Sequence, residues 1–367
     1  MVIQYKCPDC GADMVFESET GMLGCPNCGL HRDVASMGPQ EDEFINRTLA
    51  EEGEVFGDFE DFEEDIRRET FDGEEAVSYQ CNNCGAVIMT TPDTTATTCS
   101  FCGAGVILGD RLRGQLAPTK IIPFSVSKSQ AQDAFRKWCK KGLLTPKGFA
   151  SADRIKSITG MYVPFWLYDL NGRGEANASC TQVRHYERGD YIYTETKYFD
   201  VYRKVDLNYD NIPVDASEKM NDTLMDKLEP FYYNELKQFN TPYLSGFLAE
   251  KYNYDDKQLF PRVRQRTEKY VNDYIQSTIS GYSSTTFTRK WIDVRPRKAE
   301  YALLPVWMIS YDYEQEEHMF AMNGQTGKIV GKPPLSKAKI ATWFFGLTAG
   351  LFAIMRVITV LMGGPII

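Results

Sequence analysis

Histidine is nearly missing from this 367-residue chain: there are three, His31, His185 and His318, in unrelated local contexts. No Ser-His-acid or Cys-His relay can therefore be assembled from local sequence. Nucleotide signatures are missing too. There is no G-x-x-x-x-G-K-S/T loop, and no G-x-G-x-x-G follows a strand. Asn323-Gly-Gln-Thr-Gly327 is glycine-rich, but its flanks, Met319-Phe-Ala-Met322 and Lys328-Ile-Val330, make it a hairpin turn. The N-terminus, Met1-Val-Ile-Gln-Tyr-Lys-Cys7, lacks the apolar core of a secretory signal. An enzyme is not expected.

Cysteine, by contrast, is concentrated. Eight of the ten form four Cys-x-x-Cys pairs in two matched quartets: Cys7, Cys10, Cys25 and Cys28, then Cys81, Cys84, Cys99 and Cys102. In each quartet 14 residues separate the pairs, and a glycine follows every second cysteine (Gly11, Gly29, Gly85, Gly103). Two thiolates in a tight knuckle face one ion, and two knuckles on short hairpins close a tetrahedral S₄ site. The spacing predicts two zinc ribbons, each holding one structural ion with no open coordination position for catalysis. A disulfide framework or redox pairs would not explain two quartets at equal spacing in a long chain without a signal. Cys139 and Cys180 are left as ordinary semi-buried thiols.

Basic charge is scarce where a nucleic-acid-binding ribbon would need it. Between Cys7 and Cys28 the charges are all acidic (Asp9, Asp13, Glu17, Glu19), and between Cys81 and Cys102 there is only Asp93. A phosphate-binding surface needs a basic stripe. Nucleic acid is therefore not expected as a partner, and a membrane-tethered nucleic-acid-binding protein of transcription or replication is the runner-up reading. Lys137, Lys140, Lys141 and Lys147 form a basic cluster that anionic lipid would suit equally well.

Long apolar runs are absent until the C-terminus. From Ile340 to Met362 there are 23 residues with one charge, Arg356. As a helix this run is roughly 34 Å long, enough for a hydrocarbon core of about 30 Å. Arg356 is near enough to the end to snorkel. Lys328, Lys332, Lys337 and Lys339 precede the run and no charge follows it, so the positive-inside rule predicts a single-pass tail anchor in the cell membrane with cytoplasmic N-terminal domains. That compartment is reducing, in keeping with thiolate-bound metal. Gly346, Ala349, Gly350 and Ala353 form a small-residue face suited to helix packing and to a homo-oligomer through the membrane.

Between the quartets, residues 41–75 hold 16 acidic residues against three arginines, a local charge of −13. The chain carries −9, so the remainder sums to +4. Low apolarity and one-signed charge predict a solvated spacer, or an acidic-aromatic docking peptide built on Phe56, Phe59, Phe62 and Phe71.

The rest reads as α+β, an antiparallel sheet with helices. Lys120-Ile-Ile-Pro-Phe-Ser-Val126 is a strand, and Ser127 with Gln130 makes a capping box for a helix burying Ala131, Ala134, Phe135 and Trp138. Three strands are expected next: Tyr162 to Tyr168, Arg173 to Tyr186 after an Asn171-Gly172 turn, and Tyr191 to Val205 after Gly189-Asp190. Helices are expected over Ser217 to Leu228, Tyr243 to Lys251 and Asp255 to Ile279. Strands follow over Thr285 to Val294 and Tyr301 to Asp312, then a hairpin from His318 to Val330. Val163-Pro-Phe-Trp166 echoes Leu304-Pro-Val-Trp307, suggesting a duplicated unit with core tryptophans. The expected domains are ribbon 1 (1–35), the acidic linker (36–76), ribbon 2 (77–110), the α+β domain (115–332) and a transmembrane helix (340–362).

Several of these segments together resemble the YdjG-type bacterial TFIIB-type zinc-ribbon-containing membrane proteins. The resemblance is carried by the quartets, by Lys120-Ile-Ile-Pro-Phe124 with Phe135-Arg-Lys-Trp-Cys139, and by Tyr162-Val-Pro-Phe-Trp-Leu167. Tyr301-Ala-Leu-Leu-Pro-Val-Trp307, the segment Phe320 to Gly331 and the terminal anchor complete it. It implies a role in envelope stress: a non-enzymatic adaptor that recruits phage-shock PspA-like and SPFH/flotillin-like proteins to the bilayer.

Overall fold

The computed structural model describes residues 2–37, 77–112, 117–146, 149, 155–313 and 316–361. The acidic stretch 41–75, Lys147 and Met362 lie outside the described residues. The chain forms two compact units: Met1–Pro123, Tyr162–Met220 and Tyr233–Leu304 make the first, and Phe124–Met161, Asn221–Tyr232 and Pro305–Ile367 the second.

The α+β expectation holds. In the first unit the N-terminal strands are β1 (Val2–Ile3), β2 (Val15–Glu17), β3 (Met22–Gly24), β4 (His31–Arg32), β5 (Val77–Gln80), β6 (Val87–Thr90), β7 (Thr94–Thr98) and β8 (Gly105–Leu108). They are followed by β9 (Lys120–Ile121), β10 (Ile155–Arg188), β11 (Tyr191–Asp215), β12 (Lys237–Gln238) and β13 (Leu248–Glu250). Its main sheet runs β1-β8-β7-β13-β10 and on to β14 (Ser284–Tyr313), with β11 on β10. The second unit is built on the end of β14, which pairs with β15 (Glu316–Asn323) and through it with β16 (Ile329–Val330). Its helices are α1 (Lys128–Lys141), α2 (Asp222–Met225) and α4 (Lys337–Leu361), whereas α3 (Asp256–Ser277) belongs to the first unit.

The Pro-x-Trp echo marks a duplication of backbone geometry. In the first unit the Pro164 carbonyl accepts from Ala216 N–H, the Ala216 carbonyl accepts from Asn253 N–H, and Trp166 Nε1 donates to the Tyr254 carbonyl. In the second the Pro305 carbonyl accepts from Gly324, the Gly324 carbonyl accepts from Val126, and Trp307 Nε1 donates to the Val126 carbonyl. Buried Asp215 and Asn323 each accept from the amide two residues on. A capped helix then starts at the same offset: Ser127 with Gln130 caps α1, and Asp255 with Gln258 caps α3. Each capping box satisfies two otherwise orphaned backbone donors. Chain order within each repeat is helix then strand pair, yet Trp166 of the first strand pair bonds the residue before the cap of α3, and Trp307 of the second bonds the residue before the cap of α1.

Four sequence expectations are corrected. Asn171-Gly172 is not a turn: β10 continues through it, paired with β11, with only a register shift between Tyr168 and Leu170. Gly172 serves packing instead. A Cβ there would come within 2.6 Å of Val271 Cγ2 on α3, so the missing side chain lets the helix lie close on the sheet. Tyr243–Lys251 is not a helix. It is a short 3-10 turn, Thr241–Leu244, followed by strand β13, because Ala249 pairs with Ala96 of β7. The expected helix over Ser217–Leu228 shrinks to α2, capped by Asn221. The two late strands fuse into the 30-residue β14.

At an exposed strand position valine would be favoured over glycine. At Gly172 its methyls would meet the stiff, fully buried Val271. Gly172→Val should destabilise the protein by ~1–3 kcal/mol in chemical denaturation. A stabilised variant would mean that α3 does not sit where close packing puts it.

Candidate metal centres

Each knuckle is closed by the same pair of backbone bonds. Gly11 N–H donates to the Cys7 carbonyl at 2.8 Å, and Cys7 N–H to the Ala12 carbonyl at 2.8 Å. The bonds recur at Cys25, Cys81 and Cys99, all between 2.8 and 2.9 Å. The four glycines have φ of 73° to 76°, the left-handed region where a Cβ is penalised. The glycine after every second cysteine is thus required by the turn.

The thiols converge as two groups, Cys7, Cys10, Cys25 and Cys28 in one and Cys81, Cys84, Cys99 and Cys102 in the other, with all ligand atoms of a group within 4.8 Å of one another. Sγ–Sγ separations are 3.5 Å (Cys7–Cys28), 3.4 Å (Cys10–Cys25), 3.8 Å (Cys81–Cys102) and 3.7 Å (Cys84–Cys99). A disulfide would need about 2.0 Å. A tetrahedron with metal–sulfur bonds of 2.3 Å has sulfur–sulfur edges of about 3.8 Å. The donor sets therefore fit a metal ion of that kind. In each pair the first cysteine is buried and the second exposed, so the sites open toward solvent on one side.

An asparagine beside each site was not foreseen. Asn83 Nδ2 donates to Cys102 Sγ at 3.5 Å, and this bond, with help from the Ala104 backbone, holds that thiol down to about 6. The Asn27 side chain, with the Ala12 backbone, likewise holds Cys10 at about 6. Both thiols are thus disposed toward the thiolate, the form that binds metal. The sequence carried a trace of this: Asn27 and Asn83 each stand immediately before the second cysteine of a knuckle.

The two ribbons touch. Strand β1, ahead of the first quartet, pairs antiparallel with β8 of the second, Val2 opposite Leu108 and Ile3 opposite Ile107. Gln4 Nε2 donates to the Gly105 carbonyl at 3.1 Å, and Lys6 Nζ to Asn83 Oδ1 at 2.9 Å. The first ribbon also rests on the segment before β13. Ser245 Oγ donates to the Met14 carbonyl at 2.6 Å, and Phe16 meets Tyr243 edge-on at 5.3 Å. In the second ribbon β7 and β8 are both knuckle-bearing strands and members of the main sheet. An ion network reinforces that junction: Asp93 lies 3.5 Å from Lys219 and 3.8 Å from Lys251.

Gly346, Ala349, Gly350 and Ala353 lie on α4, and a Cβ added at either glycine would meet nothing within 4 Å. Residues Lys337–Thr359 of α4 are long and apolar enough to cross a membrane, and none of that span is buried in the protein. Cys139 and Cys180 are buried in the two units, and burial pushes the Cys139 thiol up to about 12. Two surface hollows of about 430 and 360 Å³ occur in the first unit. One is lined by Glu175, Ala176, Asn177, Tyr202, Arg289 and Trp291. The other holds Tyr168, Phe260, Lys257 and Arg297 among its walls. Among the described residues, neither lining includes a histidine or cysteine.

Fold and sites together define an α+β protein with a linked pair of four-cysteine ribbons and a C-terminal helix of membrane-spanning length. A relative in Bacillus subtilis (strain 168), named uncharacterized protein YdjG, is 54% identical over 364 residues, 99% of each chain. The chain belongs to that protein's family. No family model matches the chain, and no solved structure matches it.

Proposed function

We propose that this protein is a non-enzymatic, membrane-anchored adaptor of the TFIIB-type zinc-ribbon kind. It recruits PspA-like or SPFH/flotillin-like proteins to the inner face of the cell membrane during envelope stress. Zinc fills both four-cysteine centres in this reading, and the all-thiolate donor set suits it. The observation that carries the adaptor role is the apolar surface of the second ribbon. Phe101, between the cysteines of a knuckle, is 74% exposed, and Val87 and Met89 on β6 are 61% and 71% exposed. Apolar side chains left exposed on both hairpins of a small metal-binding ribbon are what a protein partner would cover.

Attachment rests on α4. Trp343, Phe344, Phe345, Leu347, Leu351 and Phe352 are all exposed, so the helix is apolar around its circumference and suited to lipid. Its start is tied to the end of α1: Ser336 N–H donates to the Leu144 carbonyl at 2.8 Å, and Lys339 Nζ to the Thr145 carbonyl at 2.6 Å. Lys140 and Lys141 stand in the last turn of α1, just ahead of Leu144 and Thr145, and Lys337 and Lys339 stand in the first turn of α4. A lysine cluster at that end favours the anionic cytoplasmic leaflet by about 1 kcal/mol per residue, in line with cytoplasmic ribbons.

The test is gentle detergent extraction of the tagged full chain from its native membrane, with partners identified by mass spectrometry. Phe101→Glu should reduce a co-purifying PspA-like or SPFH protein at least tenfold while metal content and membrane insertion stay unchanged. Recovery of polymerase, helicase or nucleic acid in place of those partners would overturn the proposal.

A further inference from the structure

Strand β14 accompanies β10 only as far as Val183. Ser283 N–H donates to the Thr181 carbonyl at 2.7 Å, and Val183 N–H donates to Ser283 Oγ at 2.9 Å. Beyond that point β10 and β11 continue as a two-stranded arm that turns at Gly189-Asp190, and every residue from 184 to 200 is exposed. The arm is rich in large apolar groups: Tyr191, Ile192 and Tyr198 are 72%, 73% and 75% exposed. An isolated two-stranded ribbon is marginal in water, and a bare aromatic edge strand is a template for another strand.

The arm's backbone shows which groups are available. Thr181 and Val183 use their carbonyl and N–H toward Ser283, so odd residues of β10 point away from β11 and even residues bond to it. Arg188 pairs with Tyr191, Tyr186 with Tyr193 and Arg184 with Glu195, which makes the odd residues of β11 the inward-bonded ones. The even residues Ile192, Thr194, Thr196, Tyr198 and Asp200 therefore turn their N–H and carbonyl groups to the open edge. Among the described residues β11 pairs with no strand but β10.

We propose that this edge binds the same edge of a second copy of the chain, as an antiparallel two-fold pair centred on Thr196. Charge selects that register. With Thr196 opposite Thr196, Glu195 faces Lys197 of the second copy and Lys197 faces its Glu195. Tyr193 faces Phe199, and Thr194 faces Tyr198. A shift of the centre by one residue either way sets Glu195 against Glu195 or Lys197 against Lys197. Glu195 and Lys197 already lie 3.8 Å apart on one face of β11, so two copies would bring four alternating charges together. Opposite charges, aromatic pairs and threonine pairs are the cross-strand contacts that stabilise antiparallel sheets. The free edge of β10 offers no such match: centring on Tyr186 would oppose Arg184 and Arg188. The result is an isologous four-stranded sheet, closed by its two-fold axis.

The test uses the full chain in detergent micelles, with protein mass measured by light scattering. The wild type should have the mass of two copies. Glu195→Lys and Lys197→Glu should each weaken dimerisation by about tenfold or more, because every cross-strand pair becomes like-charged. An equal mixture of the two variants should restore the dimer, since each supplies the charge the other lacks. Metal content of two ions per chain in all samples would confirm that the exposed substitutions leave the fold intact. A monomeric wild type, a dimer indifferent to both reversals, or a mixture that stays monomeric would overturn the proposal. Indifference is what association through the α4 glycines alone would give.

Discussion

Cys99→Ser should empty the second metal centre and release more of the protein than the ribbon itself. Cys99 is buried and joins Cys81, Ile88, Val106 and Leu108 in a small core under the knuckles, packed by Val2 and Tyr79. That cluster is too small to hold the hairpins by apolar burial, so an ion held by the four cysteines would supply the folding free energy. For structural zinc in isolated fingers it amounts to about 10–16 kcal/mol at neutral pH. Strands β7 and β8 stand between β1 and β13 in the main sheet. Losing their knuckles should therefore loosen β1, and with it one attachment of the first ribbon. Cys28→Ser should be more local, because the first ribbon's own strands β2, β3 and β4 form a separate three-stranded sheet. Elemental analysis should find one ion per chain in either variant instead of two. Amide exchange should speed up across β1, β7 and β8 in Cys99→Ser, but only within residues 5–32 in Cys28→Ser. Equal, local effects of the two changes would show that the second ribbon is not part of the sheet's stability.

Phe135→Ala should be the most damaging single change in the second unit. Phe135 is fully buried at the centre of an aromatic group: its ring lies 5.2 Å from Phe320, 5.9 Å from Tyr311 and 5.9 Å from Trp138. Phe149 continues the group 4.4 Å from Tyr311, whose hydroxyl donates to the Phe149 carbonyl. Truncation removes the transfer free energy of the ring and leaves a cavity that neighbouring rings, fixed by strands β14 and β15, cannot fill. The expected cost is about 3–5 kcal/mol, a large part of the ~5–15 kcal/mol that a domain has to spare. Limited proteolysis of the detergent-solubilised chain should show cleavage in the second unit at conditions where wild type resists. A cost below about 1 kcal/mol in denaturant titration would mean that the aromatic group repacks freely.

Local chemistry was legible wherever it repeats over a few residues. The knuckle glycines follow from the left-handed turn each Cys-x-x-Cys needs, and Ser127 with Gln130 announced α1 because a capping box is complete within four residues. The apolar run from Ile340 needed no neighbours to be recognised. Long-range pairing defeated the same approach at Tyr243–Lys251, where β7 draws Leu248–Glu250 into the sheet. Gly172 failed for a related reason: asparagine-glycine is a turn signal only if nothing crosses close above it, and Val271 does.

What the sequence determined by itself is the two four-cysteine sets, the helix of membrane-spanning length and the capped helix α1, since each depends on spacing within one short segment. Tertiary structure alone decided that the ribbons join through β1 and β8, and that Trp166 and Trp307 each bond the segment leading into the other repeat's helix. It also decided that β10 and β11 run past β14 as an open arm. Those outcomes depend on which distant segments win the pairing of their backbone hydrogen bonds. That is a competition among whole strands, and no local pattern records its result.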